Sequence, residues 1–95
     1  MVDVVEVVEE QRFEARDADG SLLGISAYDA QGSTVVFTHT EVLPAAEGRG
    51  VGSGLVRGAL DQVRASGRDV VALCPFVKAW IERHPEYQDL LRVPA

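Results

Sequence analysis

The spacing of hydrophobic positions changes twice along the 95-residue chain, and each change predicts a change of secondary structure. Over residues 4–16 apolar and polar side chains partly alternate, with Phe13 and Ala15 on one side and Arg12, Glu14 and Arg16 on the other, the period of a half-buried strand. The cluster Asp17-Ala18-Asp19-Gly20 ends that strand. Residues 22–28 form a second strand, and the glycine-containing turn 30–33 leads into a third, Thr34–Val42, rich in β-branched side chains. Three consecutive strands joined by short turns predict an antiparallel meander. Pro44 cannot donate to a ladder, so residues 45–50 read as a loop. Beyond it Val51, Leu55, Val56, Ala59, Leu60 and Val63 recur at three- and four-residue spacing, which predicts a helix ending near Ser66 with Gly67 as its left-handed cap. Val70-Val71-Ala72-Leu73 is a continuous apolar run, the mark of a strand covered on both faces beside a parallel neighbour. Pro75 suits the first turn of another helix over residues 76–83, which His84-Pro85 ends before a short segment carrying Tyr87, Leu90 and Leu91. The expected class is α/β with a mixed sheet: a three-stranded antiparallel meander, a βαβ unit and a C-terminal helix, all in one domain over residues 1–95.

Composition narrows the setting. A hydrophobic content of 46% supplies one core but not two. The longest unbroken apolar run, residues 70–73, is far below the roughly 20 residues needed to span a bilayer. The acidic start Met1-Val2-Asp3-Val4-Val5-Glu6 resembles neither a secretory signal nor a transit peptide, so a cytoplasmic location is expected. One cysteine, Cys74, and two histidines leave no intramolecular disulfide and no typical closed zinc site; no metal is expected. Fifteen acidic against nine basic residues give a net charge of −6, which repels a nucleic-acid backbone and suits a cationic acceptor such as an amine. An exposed sheet edge in so small a domain is compatible with a monomer or a weak homodimer.

The most informative segment is Gly48-Arg49-Gly50-Val51-Gly52-Ser53-Gly54, four glycines at alternate positions where a loop becomes a helix. Glycines there let the backbone approach a ligand and present free N–H groups, which with the positive end of the helix form a site for an anion such as a pyrophosphate. Arg49 is placed to add a charge-assisted contact. Tight packing of the helix is the alternative reading. A P-loop is excluded because no Gly-Lys-Ser/Thr follows, and a dinucleotide fingerprint fits poorly because Asp69 precedes a strand.

Residues 47–52, Glu-Gly-Arg-Gly-Val-Gly, resemble the Gln/Arg-x-x-Gly-x-Gly/Ala motif of the GNAT acetyltransferases. With His39-Thr40-Glu41-Val42 before it, and Leu73-Cys74-Pro75-Phe76-Val77 and His84-Pro85-Glu86-Tyr87 after it, the chain is similar to the small YjdJ-type N-acetyltransferases. The resemblance implies acetyl-CoA as cosubstrate and an amine as acceptor. It implies that the strands ending at Val42 and Leu73 splay apart around the pantetheine arm, while the backbone of Arg49, Gly50, Val51, Gly52, Ser53 and Gly54 holds the pyrophosphate. Three departures bear on the chemistry: Glu47 replaces the usual Gln or Arg, Ile81 stands where many members place a tyrosine acid, and the two N-terminal helices that often line the acceptor site have no counterpart.

Acetyl transfer needs a base for the amine and donors for the oxyanion. His39 and Glu41, two residues apart on one strand face, are candidate bases, and the backbone N–H groups near Val42 and Leu43 are candidate donors. Cys74, at the junction of a buried strand and a helix, is either a covalent acetyl carrier with His39 as its base or a small buried hydrophobe. Direct transfer and double displacement both stand at this stage, as does a reading from another class, a CoA-binding module with little turnover that acts as sensor or partner subunit. Trp80 and Tyr87 are expected to pack the last helix.

Overall fold

The computed structural model describes residues 2–92. Five strands form one sheet in sequence order: β1 (Asp3–Val7), β2 (Arg12–Arg16), β3 (Leu22–Gln31), β4 (Thr34–Val42) and β5 (Asp69–Ala72). Neighbours are antiparallel from β1 to β4, and β4 and β5 are parallel. Between them runs helix α1 (Val51–Ala65), and β5 is followed by α2 (Pro75–Glu82) and a 3-10 segment, Pro85–Leu90. The meander and the βαβ unit are as the hydrophobic pattern predicts, but β5 is covered on one face only: Val70 is buried whereas Val71 and Ala72 are half-buried and Leu73 is 66% exposed, because both helices pack on the same side of the sheet.

The expected first strand is corrected as well. Residues 4–16 are not a single strand but two, folded back through a 3-10 turn at Val8–Glu10, so the meander has four strands. The turn closes at Gln11, the one non-glycine residue with a left-handed backbone among those described, at φ 49°. No glycine or proline marks this reversal, and Val7-Val8 continues the apolar run into it, so the pattern conceals the turn.

Both helices lie on one face of the sheet. The apolar side of α1 buries Val51, Leu55, Val56, Ala59, Leu60 and Val63, and Phe13, Tyr28 and Phe37 rise from the sheet beneath it as an aromatic cluster with centroids 5.5–6.3 Å apart. The helix ends as expected: Gly67, at φ 74°, donates to the Arg64 carbonyl and Arg68 to that of Val63, the paired bonds of a Schellman cap. Trp80, Val77 and Ile81 of α2 complete the core, and Tyr87 closes it with its hydroxyl donated to Asp61.

The opposite face carries cross-strand rows Val7–Arg12–Ala27–His39 and Val5–Glu14–Ile25–Glu41. Glu14, only 4% exposed, is held between Arg12 and Arg16, whose hydrogen bonds keep its carboxyl below the usual range, Arg16 first. On the helix side the short edge strand β1 is clipped by Glu6, which accepts two bonds from Arg68 at 2.9 Å and one from the Tyr28 hydroxyl at 2.5 Å. The Tyr28 hydroxyl is pushed up to about 12 by burial first and by the Glu6 carboxylate next. Glu6 is held below its ordinary value of 4.5, chiefly by the Arg68 hydrogen bond.

Because Glu6 is lowered in the folded state, its contribution is complete above its ordinary value and is lost as pH falls through the folded one. Glu6→Gln should cost about 1–3 kcal/mol at pH 7; urea unfolding should show this difference shrinking in acid, and a difference independent of pH would refute the assignment. Gly58 is placed against β1, where an added Cβ would lie 2.7 Å from the Val4 Cβ. Gly58→Ala should therefore destabilise by about 1–3 kcal/mol, outweighing the ~1 kcal/mol gain in helix propensity; an unchanged or raised melting temperature would show that β1 yields freely.

Candidate functional site

The site begins where β4 and β5 part. Their ladder runs from Thr34↔Asp69 to Phe37↔Ala72 and stops, and the Phe37 carbonyl then accepts from both Leu73 N–H, at 3.0 Å, and Cys74 N–H, at 2.9 Å. At the same point β4 bulges against β3: Tyr28 pairs with Phe37 and Ala27 with His39, leaving Thr38 as the extra residue. A bulge bends its strand, and here it carries β4 on along β3 to Val42 while β5 gives way to α2. The expected splay is present.

Beside the splay stands the start of α1. A 3-10 turn, Pro44–Ala46, is pinned by the buried Ala46 and returns the chain from β4. Gly48 at φ 81° and Gly50 at φ 74° then adopt left-handed conformations with open space where a Cβ would be, so their requirement is conformational. Gly50 is the N-cap and offers no side chain, and the first bond into the helix is Gly54 N–H to the Gly50 carbonyl at 3.1 Å. The amides of Val51, Gly52 and Ser53 therefore precede the first intrahelical bond at the positive end of a 15-residue helix. Arg49 is half exposed and lies 3.6 Å from Asp17 of the β2–β3 turn, a weak surface pair that leaves its guanidinium available to an anion. A cavity of about 290 Å3 opens here, lined by Val42, the loop and Phe76.

The other two glycines have different causes. A Cβ on Gly52 would sit 2.8 Å from the Phe76 ring, and one on Gly54 would sit 3.1 Å from Val2. Gly54 thus makes room for the start of the chain, as Gly58 does one turn later, and Gly52 makes room for an aromatic ring. Left-handed turns and tight helix packing are both at work in the same run of glycines.

His39 and Glu41 share a strand face as expected, with Nε2 and Oε2 3.7 Å apart, and both protrude from the open face of the sheet, 63% and 61% exposed. Cys74 is on the other side. It is 3% exposed, and its thiol donates to Thr40 Oγ1 at 3.4 Å, which in turn shares a hydrogen bond of 2.9 Å with Ser26 Oγ. The structure brings Cys74 to Thr40 rather than to His39, because adjacent strand residues point to opposite faces. The Leu43 N–H is committed to the Leu23 carbonyl at 2.9 Å, so the oxyanion donor expected there belongs to the sheet. Ile81 is fully buried in the core and offers no acid to the splay. Sequence reasoning missed Thr40 and Phe76: the first sits between two more conspicuous candidates, and the second reads as an ordinary helix residue. Among the described residues no group of three or more His, Cys, Asp or Glu could hold a metal.

The sequence profile of the GCN5-related N-acetyltransferases matches residues 12–90. The chain belongs to that family. The match takes in both strands of the splay, the glycine loop and α2. Among solved structures the chain is similar to the solution NMR structure of a GCN5-like candidate N-acetyltransferase from Staphylococcus aureus, with a TM-score of 0.71 and 23% identity over 98% of this chain and 90% of that one. At that identity the likeness concerns the fold alone. No curated protein sequence matches the chain.

The burial of Cys74 has a measurable consequence. In the folded protein its reaction with the disulfide reagent DTNB should be slower than in urea by roughly two orders of magnitude or more, since attack must await local opening. Equal rates would mean that the thiol already faces solvent.

Proposed function

We propose that this acetyltransferase uses acetyl-CoA and transfers the acetyl group directly to an amine. The observation that carries the reading is the uncapped start of α1, with Gly48 and Gly50 left-handed before it, set beside the gap between β4 and β5. A diphosphate fits a helix start whose first amides lack partners, and Arg49 adds a positive side chain. Beyond Phe37 the two strands no longer pair, and Thr40 and Cys74 meet there at 3.4 Å; the parted strand ends suit an extended thioester arm.

In direct transfer the amine nitrogen forms a bond to the thioester carbonyl carbon, the amine proton passes to a base, and the bond to sulfur breaks to release CoA thiolate. Glu41 and His39 supply the base from the open face, either at the amine itself or through water, and Glu41 also attracts a cationic amine before it is deprotonated. Val42, at the end of β4, lines the cradle cavity beside the place where the thioester would lie. Cys74 then serves as a thiol hydrogen-bonded across the gap to Thr40, and its burial and choice of partner favour this role over covalent carriage. A CoA-binding module with little turnover is a second reading, supported by the placement of Ile81 in the core.

Isothermal titration with acetyl-CoA tests the cradle. Wild type should bind saturably, and Gly50→Ala, whose Cβ meets no neighbour but strains a left-handed N-cap, should weaken binding by about tenfold or more. A folded wild type that takes up no acetyl-CoA would end the reading. Given binding, release of free CoA thiol on an amine panel separates the enzyme from the module: loss of turnover in Glu41→Gln or His39→Ala, with Cys74→Ala still active, is the expected result.

A further inference from the structure

The face of the sheet opposite the helices bears more than His39 and Glu41. Strand alternation puts Val5 of β1, Ile25 and Ala27 of β3, Val36 of β4 and Val71 of β5 on it. Val5 is 44% exposed and the rest are half-buried. Leu73, two residues past Val71, is 66% exposed. Apolar positions therefore recur across the whole width of the face, interrupted at β2 by Arg12, Glu14 and Arg16, whose charges are spent on one another. Single apolar residues on a surface need no explanation, but an extended apolar patch bordered by polar groups marks a surface that meets another protein.

The base candidates stand within this patch, 63% and 61% exposed, so a small amine placed at them is covered from one side only. Small-molecule sites bury about 70–90% of their ligand. The two cavities described lie instead along α1, one at the glycine loop and one of about 560 Å3 beside Val2 and Val4. An acceptor on the open face gains contact by extending along it: β1 to β5 is about 19 Å at the usual strand spacing, which about six extended residues cover. The charge left over there is acidic. Glu14 occupies Arg12 and Arg16, whereas Glu41 and Asp29 of the same face have no arginine partner among the described residues. Such a face is complementary to a polypeptide that carries apolar residues and a cation.

We propose that the acceptor amine is a lysine side chain of a polypeptide whose flanking residues lie across the bare face between Val5 and Leu73. The proposal rests on the direct-transfer reading above and narrows it from amines in general to an amine borne by a protein. The flexible four-carbon stem of lysine lets its nitrogen reach Glu41 and His39 while the backbone stays on the apolar patch. There the ammonium gives up its proton to one of them, the nitrogen bonds to the thioester carbonyl carbon, and the carbon–sulfur bond breaks. A second proton leaves the nitrogen for solvent, and the products are N-acetyl-lysine and CoA thiolate.

The test measures CoA thiol released from acetyl-CoA with two acceptors. One is Nα-acetyl-lysine amide, the reacting side chain alone; the other is a pool of amino-blocked peptides of about twelve residues, each with one central lysine between randomised flanks. Per lysine, the pool should exceed the capped amino acid in kcat/KM by about tenfold or more, and the peptides acetylated first should be enriched in apolar flanking residues. In Val5→Arg and in Leu73→Arg, at opposite ends of the patch, that ratio should fall by about threefold or more, with folding checked by melting curves and acetyl-CoA binding by titration. A pool no better than the capped lysine would show that the acceptor is a free amine, and a ratio unchanged in both variants would show that the polypeptide lies elsewhere; either result overturns the proposal while the acetyl-CoA site stands. Bound acetyl-CoA with no thiol released from either acceptor overturns it in favour of the binding module. A wild type that binds no acetyl-CoA overturns the reading of the site as well.

Discussion

The carbonyl of Phe37 is the point on which the arrangement turns. It accepts from Leu73 and from Cys74, so it is at once the last acceptor for the parallel ladder and the first for the chain entering α2. The bulge at Thr38 falls on the next residue of β4. A parallel pair continued to Val42 would have closed the sheet and left no passage between its strands. Ending the pair at one shared carbonyl and bending its partner there opens a gap with no buried polar side-chain atom left unsatisfied among the described residues. Thr40 and Cys74 then bridge the gap by hydroxyl and thiol instead of by backbone.

The bulge also sets which chemistry lies on which face. It shifts the alternation of β4 by one residue, so that Thr40 shares the helix side with Phe37 although the two are three residues apart, and His39 and Glu41 emerge together on the open side. The thiol and the base candidates are thereby separated by the strand itself. This separation supports the proposed direct transfer, in which the amine comes from the open face and the thioester from between the parted strands. The open face, where Glu14 is neutralised by two arginines of its own strand, has the acid and imidazole as protruding groups.

Four glycines within seven residues have three physical causes. Gly48 and Gly50 supply left-handed turns, Gly52 receives the Phe76 ring, and Gly54, with Gly58 after it, admits the start of the chain against α1. The last of these explains how a two-layer domain with a five-residue edge strand holds together: β1 approaches the helix backbone closely, and Glu6 locks it through Arg68, which follows the helix cap, and through Tyr28 of β3. The helix start that suits a phosphate and the helix side that carries β1 are parts of one surface.

Periodicity and end signals in the sequence determined the elements from Leu22 onward, the side of α1 that is buried and its cap at Gly67, because a helix stripe and a glycine with positive φ are local properties that tertiary contacts here reinforce. The glycine loop was likewise legible as the start of a helix. The reversal at Gln11 was not, since a non-glycine residue carries its left-handed conformation and only the pairing of β1 with β2 stabilises it. Nor were the partners of Cys74 and Gly52: a bulge alters facing without altering the residues, and a ring that crosses from α2 to α1 depends on the two helices being placed side by side. What the chain wrote locally could be read locally; what depends on register between strands, or on residues 24 and 34 positions apart meeting in space, was decided by the tertiary structure, because only packing brings those groups within reach.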